Sequence, residues 1–244
     1  MKVRIGTSGW HYKHWLRGVF YPEGVAGTEM FQFYARHFDT VEINNSFYRL
    51  PTAETFDAWR ESSPRNFCYA VKASRFITHM KKLKDPDSSS AKFFLAAERL
   101  ENKLGPILFQ LPPRWKLNLE RLVTFIEALP PEHRYVFEFR DESWHVKEVF
   151  EVLRRYRAAF CIHDFADMKV PNEITADLAY IRFHGPTSAK YFGEYSEDQL
   201  RVWADRIESW RGQVSEVYAY FNNDPGGAAV RNALELKRLL RVIS

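Results

Sequence analysis

Cysteine is scarce in this chain: there are two, Cys68 and Cys161, each inside an apolar, strand-like run. Two buried thiols make no disulfide framework, so nothing here calls for an oxidising compartment. Long apolar runs are missing too. None approaches the ~20 residues that span a bilayer. The opening Met1-Lys2-Val3-Arg4-Ile5-Gly6 has no apolar core of a secretory signal. The expectation is a cytoplasmic protein with no membrane partner. Charge of one sign is also lacking. Lys and Arg number 35 against 31 Asp and Glu, for a net charge of +4. That is a mixed surface that permits an anionic partner without demanding one. With no basic tail or stripe, a non-catalytic nucleic-acid-binding role ranks behind an enzymatic one. No Gly-x-Gly-x-x-Gly turn follows the first apolar run, which argues against an open dinucleotide-binding sheet. There is no His-Glu-x-x-His either, and no tight cysteine spacing.

What is present is a chain of 244 residues, 45% of them apolar and rich in rings, with twenty Phe, twelve Tyr and seven Trp. Short runs of Val, Ile, Phe and Tyr bounded by Gly, Pro or polar clusters predict eight strands. They are Lys2–Gly6, Phe38–Asn44, Phe67–Ala73, Pro106–Leu111, Tyr135–Arg140, Ala158–His163, Leu178–His184 and Glu216–Asn222. Helical segments fall between them: Thr28–His37, Thr52–Glu61, Ala91–Leu104, Asn118–Ala128, Ser143–Tyr156, Ser196–Trp210 and Gly227–Leu240. Thr28, Asn118 and Ser143 read as caps, and Ser196-Glu197-Asp198-Gln199 reads as a capping box. Asp85–Ser90 reads as a polar loop. Only Asp164–Asp177, interrupted by Pro171, leaves little room for a helix. Eight β/α units with parallel pairing predict one closed (β/α)8 barrel over residues 1–244, the length such a fold requires.

The strand ends carry the functional signal. Alternate residues of a strand face one side, and active sites of these barrels form at the C-terminal strand ends. One parity there is polar: Glu42 and Asn44, Lys72, Gln110, Glu138 and Arg140, His163, Arg182 and His184, Tyr220 and Asn222. The other is apolar, from Val41, Ile43 and Val71 to Phe183 and Phe221. The polar set therefore faces the barrel axis. Burying such groups is costly unless they pair or meet a ligand. A purely structural account would pair Glu42 with Lys72, and Glu138 with Arg140 or Arg182.

For chemistry, Glu42 and Glu138 suit general acid/base work. Lys72 suits a desolvated amine, and His163 a proton carrier. Arg140, Arg182 and His184 suit an anionic group. Asn222, Asn223, Gly226 and Gly227 offer a glycine-rich turn before the last helix, where phosphates often bind. Trp10, Tyr12, Trp15, Tyr48, Trp144 and Tyr195 lie in or next to loops that could wall a ligand. Glu42, Glu138, His163 and His184 have ligand types that fit Zn or Mn, but three neighbouring cations oppose a metal. No metal or other cofactor is expected, and a metal-dependent phosphoesterase or nuclease is the alternative.

The segments Gly6–Trp10, Val41–Tyr48, Phe109–Pro113, Glu138–Arg140, Arg182–Gly185 and Tyr220–Asp224 resemble, in the same order, the YecE-like family, domain of unknown function family 72. The resemblance covers nearly the whole chain. It implies a TIM-type barrel and places the family's motif positions on Glu42, Asn44, Gln110, Glu138, Arg140, Arg182, His184, Asn222 and Asn223. Where the family often carries His after Glu-Phe-Arg, this chain has Asp141. The resemblance brings no settled activity. The expectation is an enzyme (hydrolase, isomerase or lyase) acting on a small anionic or sugar-like, phosphorylated metabolite.

Overall fold

A computed structural model describes residues 1–165, 168–187 and 191–242. It contains the eight strands: β1 (Lys2–Thr7), β2 (Thr40–Ile43), β3 (Cys68–Lys72), β4 (Leu104–Gln110), β5 (Tyr135–Glu138), β6 (Ala159–His163), β7 (Leu178–Phe183) and β8 (Glu216–Phe221). All pair in parallel, in the ring order β1-β8-β7-β6-β5-β4-β3-β2. The barrel is nearly closed. Between β1 and β2 the ladder shrinks to a single bridge, Ser8 with Glu42. Gly6 allows that approach, because a Cβ there would collide with the Thr40 carbonyl. The Tyr34 hydroxyl fills the gap, accepting from the Thr7 amide at 3.1 Å and donating to the Thr40 carbonyl at 3.0 Å.

The helices are α1 (Met30–Ala35), α2 (Asn45–Tyr48), α3 (Ala53–Ser62), α4 (Pro86–Ala97), α5 (Leu119–Glu127), α6 (Lys147–Arg155), α7 (Glu197–Ser209) and α8 (Ala228–Leu239). Asn118 caps α5, and the Ser196–Gln199 capping box opens α7 as predicted. Three expectations need correction. Thr28 caps nothing, since α1 starts two residues later after Glu29, without a side-chain cap. Asp85–Ser90 is mostly not a loop, because Pro86 at the first turn starts α4 there. Ser143 lies inside a separate 3₁₀ turn, Glu142–Trp144, capped by Asp141, and α6 begins only at Lys147. No helix is described between β6 and β7. Among the described residues, no helix is long and apolar enough to cross a membrane.

Strand parity divides the interior as the sequence implies. Val41, Ile43, Val71, Phe109, Phe137, Phe139, Ile162, Ile181, Phe183 and Phe221 form the core between barrel and helices. Each fully buried ring or branched side chain there contributes roughly 1.5–3 kcal/mol relative to exposure. Inside the barrel, a second cluster combines small residues (Ala70, Ala159, Cys161) with Tyr180, Tyr218 and Tyr220. The three tyrosine rings lie 5.3–6.5 Å apart and plug the lumen. Beneath them, Tyr218 donates to Glu216 at 2.9 Å and accepts from Arg134 at 2.6 Å, while Arg4 pairs with Asp39 at 2.7 Å. The polar groups at the opposite end thus sit on a closed floor.

Candidate functional site at the C-terminal face of the barrel

Arg182, near the end of β7, crosses the axis and joins two strands that do not touch. Its Nε and Nη2 donate to the Glu42 carboxylate from 2.8 to 3.2 Å, and its Nη1 donates to Glu138 at 2.7 Å. The guanidinium and both carboxylates are fully buried. Glu42 also accepts from Ser8 at 2.6 Å and from Tyr180 at 2.7 Å. The other oxygen of Glu138 accepts from Arg140 Nε. Burial works to raise the Glu138 pKa, but Arg140 and Arg182 outweigh it and hold it well below the usual carboxylate range. The expected Glu42–Lys72 pair is not formed. β2 and β3 are ladder neighbours, yet the longer, forked guanidinium from across the barrel takes the carboxylate with several donors.

Arg140 continues the network. Its Nη2 donates to His184 Nε2 at 2.8 Å, and its Cζ lies over the Phe165 ring, 3.6 Å from the ring centre. Its Nη1 is buried with no hydrogen-bond partner among the described residues. Because His184 Nε2 accepts, the proton sits on Nδ1, which is buried, unbonded and 3.7 Å from Asp164. Burial, then Arg140 and Arg182, keep His184 neutral, well below its usual pKa. Asp164 accepts from the His184 amide at 2.7 Å and from the Tyr195 hydroxyl. Burial lifts its pKa to about 6. His163 is otherwise placed than a proton carrier needs. Its Nε2 donates to the Phe139 carbonyl at 3.0 Å, and its Nδ1 accepts from the Phe165 amide at 3.3 Å. Both nitrogens are spent on backbone, and burial lowers its pKa to about 3.

Lys72 ends β3 on the same face. It is 8% exposed, and its ammonium lies 4.2 Å from the centre of the Phe47 ring. Among the described residues no carboxylate stands within ion-pair distance of it. Burial foremost, then the charge of Arg182, bring its pKa from 10.5 to about 7, against the opposing pull of Glu138 and Glu42. His79 packs on the same phenyl ring, 4.9 Å between ring centres, with its Nδ1 bonded to Thr78 at 2.9 Å. Burial, then Lys72, lower its pKa to about 4. A cleft of about 460 Å³ is lined by Trp10, His11, Tyr12, Asn44, Asn45 and Tyr48, and the Tyr48 ring packs edge-on against Phe47 at 5.0 Å. Asn44 lines it, and its Oδ1 is buried with no partner among the described residues.

The remaining expected residues are spread more widely. Gln110 is half-buried and faces Glu138 in the β4–β5 register. Asn222 is half-buried after β8, and Asn223 bonds Gly193 and Asn232 instead of pointing to an open site. The Gly226–Gly227 turn stands apart from Arg182, whose bonds all run to Glu42 and Glu138. Asp224 there turns its carboxylate to His14 at 3.0 Å. Trp15 and Trp144 are fully buried packing residues, and Tyr195 is nearly so. Sequence reading missed Ser8, Tyr180, Asp164, Phe47 and His79. Tyr180 was legible, being two residues before Arg182 and of the same parity; the others lie beyond strand ends, where parity stops applying. Metal-ligand geometry lies elsewhere: among the described residues, the group of three ligand-type side chains that converge is Glu98, Glu132 and His133, before β4 and β5, at the opposite end of the barrel.

The fold and site define a (β/α)8 barrel with a buried, arginine-bridged polar centre at its C-terminal face. The chain belongs to the family described as "Protein of unknown function DUF72", whose profile matches residues 4–243. It is 26% identical to the UPF0759 protein YunF of Bacillus subtilis over 98% of this chain and 95% of that one. It is 30% identical to the UPF0759 protein YecE of Escherichia coli O157:H7 over 90% and 86%. A crystal structure of a DUF72 family protein from Thermotoga maritima superposes with a TM-score of 0.90 at 30% identity, covering 99% of this chain and 100% of that one. One from Enterococcus faecalis shares the fold at a TM-score of 0.83 and 20% identity, covering 99% and 96%.

Proposed function

We propose that the protein is an enzyme acting on a small anionic metabolite, with Arg140 binding the anion and Lys72 moving the proton. The observation that carries this reading is an imbalance. Arg182, Arg140 and Lys72 face two carboxylates, Glu42 and Glu138, and both carboxylates are consumed by arginine. One cationic side chain is left unpaired among the described residues, and so is one buried guanidinium N–H. An entering phosphate or carboxylate satisfies both. Glu42 and Glu138 act in this reading as the groups that hold the arginines in place, not as acid and base. A near-neutral amine is suited to proton abstraction at physiological pH, which favours an isomerase or lyase over a hydrolase. The ring-lined cleft beside Asn44 and Tyr48 suits the sugar-like body of such a substrate. A metal-dependent reaction finds less support, because His163 and both carboxylates are already saturated.

Calorimetric titration with phosphate monoesters and small carboxylates tests this. Anions should bind where their uncharged counterparts do not, and Arg140→Gln should weaken them about tenfold or more, the loss of one charge-assisted hydrogen bond. Equal binding of charged and uncharged compounds, or indifference to Arg140→Gln, would refute it.

A further inference from the structure

We infer that Lys72 is a covalent nucleophile whose amine condenses with an aldehyde or ketone, so that the substrates of this site are small oxo acids or phosphorylated carbonyl compounds. This rests on the reading of the site as one for small anions and gives Lys72 a covalent role in place of proton transfer.

The geometry withholds a counter-ion from Lys72. The two carboxylates whose charge it feels, Glu138 and Glu42, are bound to Arg182 and Arg140 instead. The amine is left over the face of the Phe47 ring, 4.2 Å from its centre, a contact that attracts an ammonium weakly but is no counter-ion. A lysine that served only to hold charge in the barrel would gain from an ion pair; one that must attack carbon needs its lone pair free. The charged and titratable groups around it are Arg182, Glu138, Glu42, Arg140 and His79. His79 lies on the same phenyl ring.

The step balances without a further reactant. The Lys72 lone pair attacks the carbonyl carbon, a C–N bond forms, and the carbonyl electron pair moves onto oxygen. A proton passes from nitrogen to that oxygen to give the carbinolamine. The proton still on nitrogen is lost as a second proton reaches the oxygen, which leaves as water while C=N is formed. Nothing is oxidised or reduced. Hydrolysis of the C=N bond by water reverses the sequence and frees the amine. Meanwhile the buried Nη1 of Arg140 supplies the open donor for the anionic end. The substrate is thereby held by its charge at one end and by a covalent bond at the other.

Glyoxylate, the smallest compound with both a carbonyl and an anionic group, is the probe. The full-length protein is incubated with it and cyanoborohydride at pH 7, and the modified lysines are mapped by peptide mass spectrometry. Lys72 should be modified about tenfold faster, or more, than solvent-exposed Lys147 and Lys116, because far more of its amine is unprotonated. Inorganic phosphate should slow modification at Lys72 alone. Modification at Lys72 no faster than at Lys147 would overturn the inference. Should glyoxylate bind in an Arg140-dependent way and yet leave Lys72 unmodified, the covalent step falls and the anion site stands. Fast modification of Lys72 that ignores both phosphate and Arg140→Gln would confirm the nucleophile and remove the anion site beneath it.

Discussion

Replacing Lys72 with methionine should make the protein more stable. Met has a similar reach, no charge, and a thioether that packs well on an aromatic ring such as Phe47. The native ammonium is 8% exposed and without an ion pair among the described residues. Its pKa falls from 10.5 to about 7, chiefly through burial. At roughly 1.36 kcal/mol per pH unit, keeping it in the folded state costs on the order of 4 kcal/mol at neutral pH. The sign follows from proton binding. Between pH 7 and 10.5 the unfolded chain holds a proton on Lys72 that the folded chain releases, so native stability rises with pH across that window. The gap between Lys72→Met and the wild type should therefore be widest below pH 7 and close toward pH 10.5. Urea unfolding followed by circular dichroism, repeated from pH 6 to 10, reads it directly. At about 2–4 °C per kcal/mol for a chain of this size, the melting temperature at pH 7 should rise by about 10 °C. A variant less stable than wild type at pH 7, or a gap that does not change with pH, would show that Lys72 is paired and ordinary.

Two further substitutions probe the frame around it. Arg182→Met leaves two buried carboxylates short of a cation and should cost about 3–5 kcal/mol; a loss below about 1 kcal/mol in the same unfolding assay would mean the bridge is not the organising contact. Tyr34→Phe removes the hydroxyl that joins the Thr7 amide to the Thr40 carbonyl and should cost about 1–3 kcal/mol. Hydrogen exchange should show the Thr7 amide losing protection while the β7–β8 amides keep theirs; unchanged exchange at Thr7 would mean that Tyr34 does not hold the gap.

Much of the architecture was legible because two periodicities are simple. All eight strands begin and end within about two residues of where alternation and turn chemistry put them, the usual accuracy for element ends, and their parity sorted axis from helix layer correctly. The pairing within the axis was not legible. Glu42 and Lys72 are adjacent in strand order, but in a closed ring residues of opposite strands also meet. Which carboxylate an arginine reaches depends on side-chain length and height along the axis, neither of which a linear pattern carries. His163 shows the same limit. Its position on the inward parity was right, yet the chain after β6 turns so that the Phe139 carbonyl and Phe165 amide take both nitrogens. Asp164, one residue further on, escaped notice because it lies just past the strand, where alternation no longer predicts direction.

The seam between β1 and β2 bears on how this chain can assemble as it is made. β1 leaves the ribosome first, but its ladder partner is β8, the last strand, and toward β2 it has one bridge. For almost the whole of synthesis its backbone therefore has no strand to bond. The β1–β8 ladder that closes this side of the ring can form only once β8 has been made. On its other side Ser8, just past β1, meets Glu42 across the seam. The carboxylate that anchors Arg182 thus draws its donors from both ends of the chain, Ser8 after β1 and Tyr180 and Arg182 on β7, so a fully bonded centre requires both ends in place.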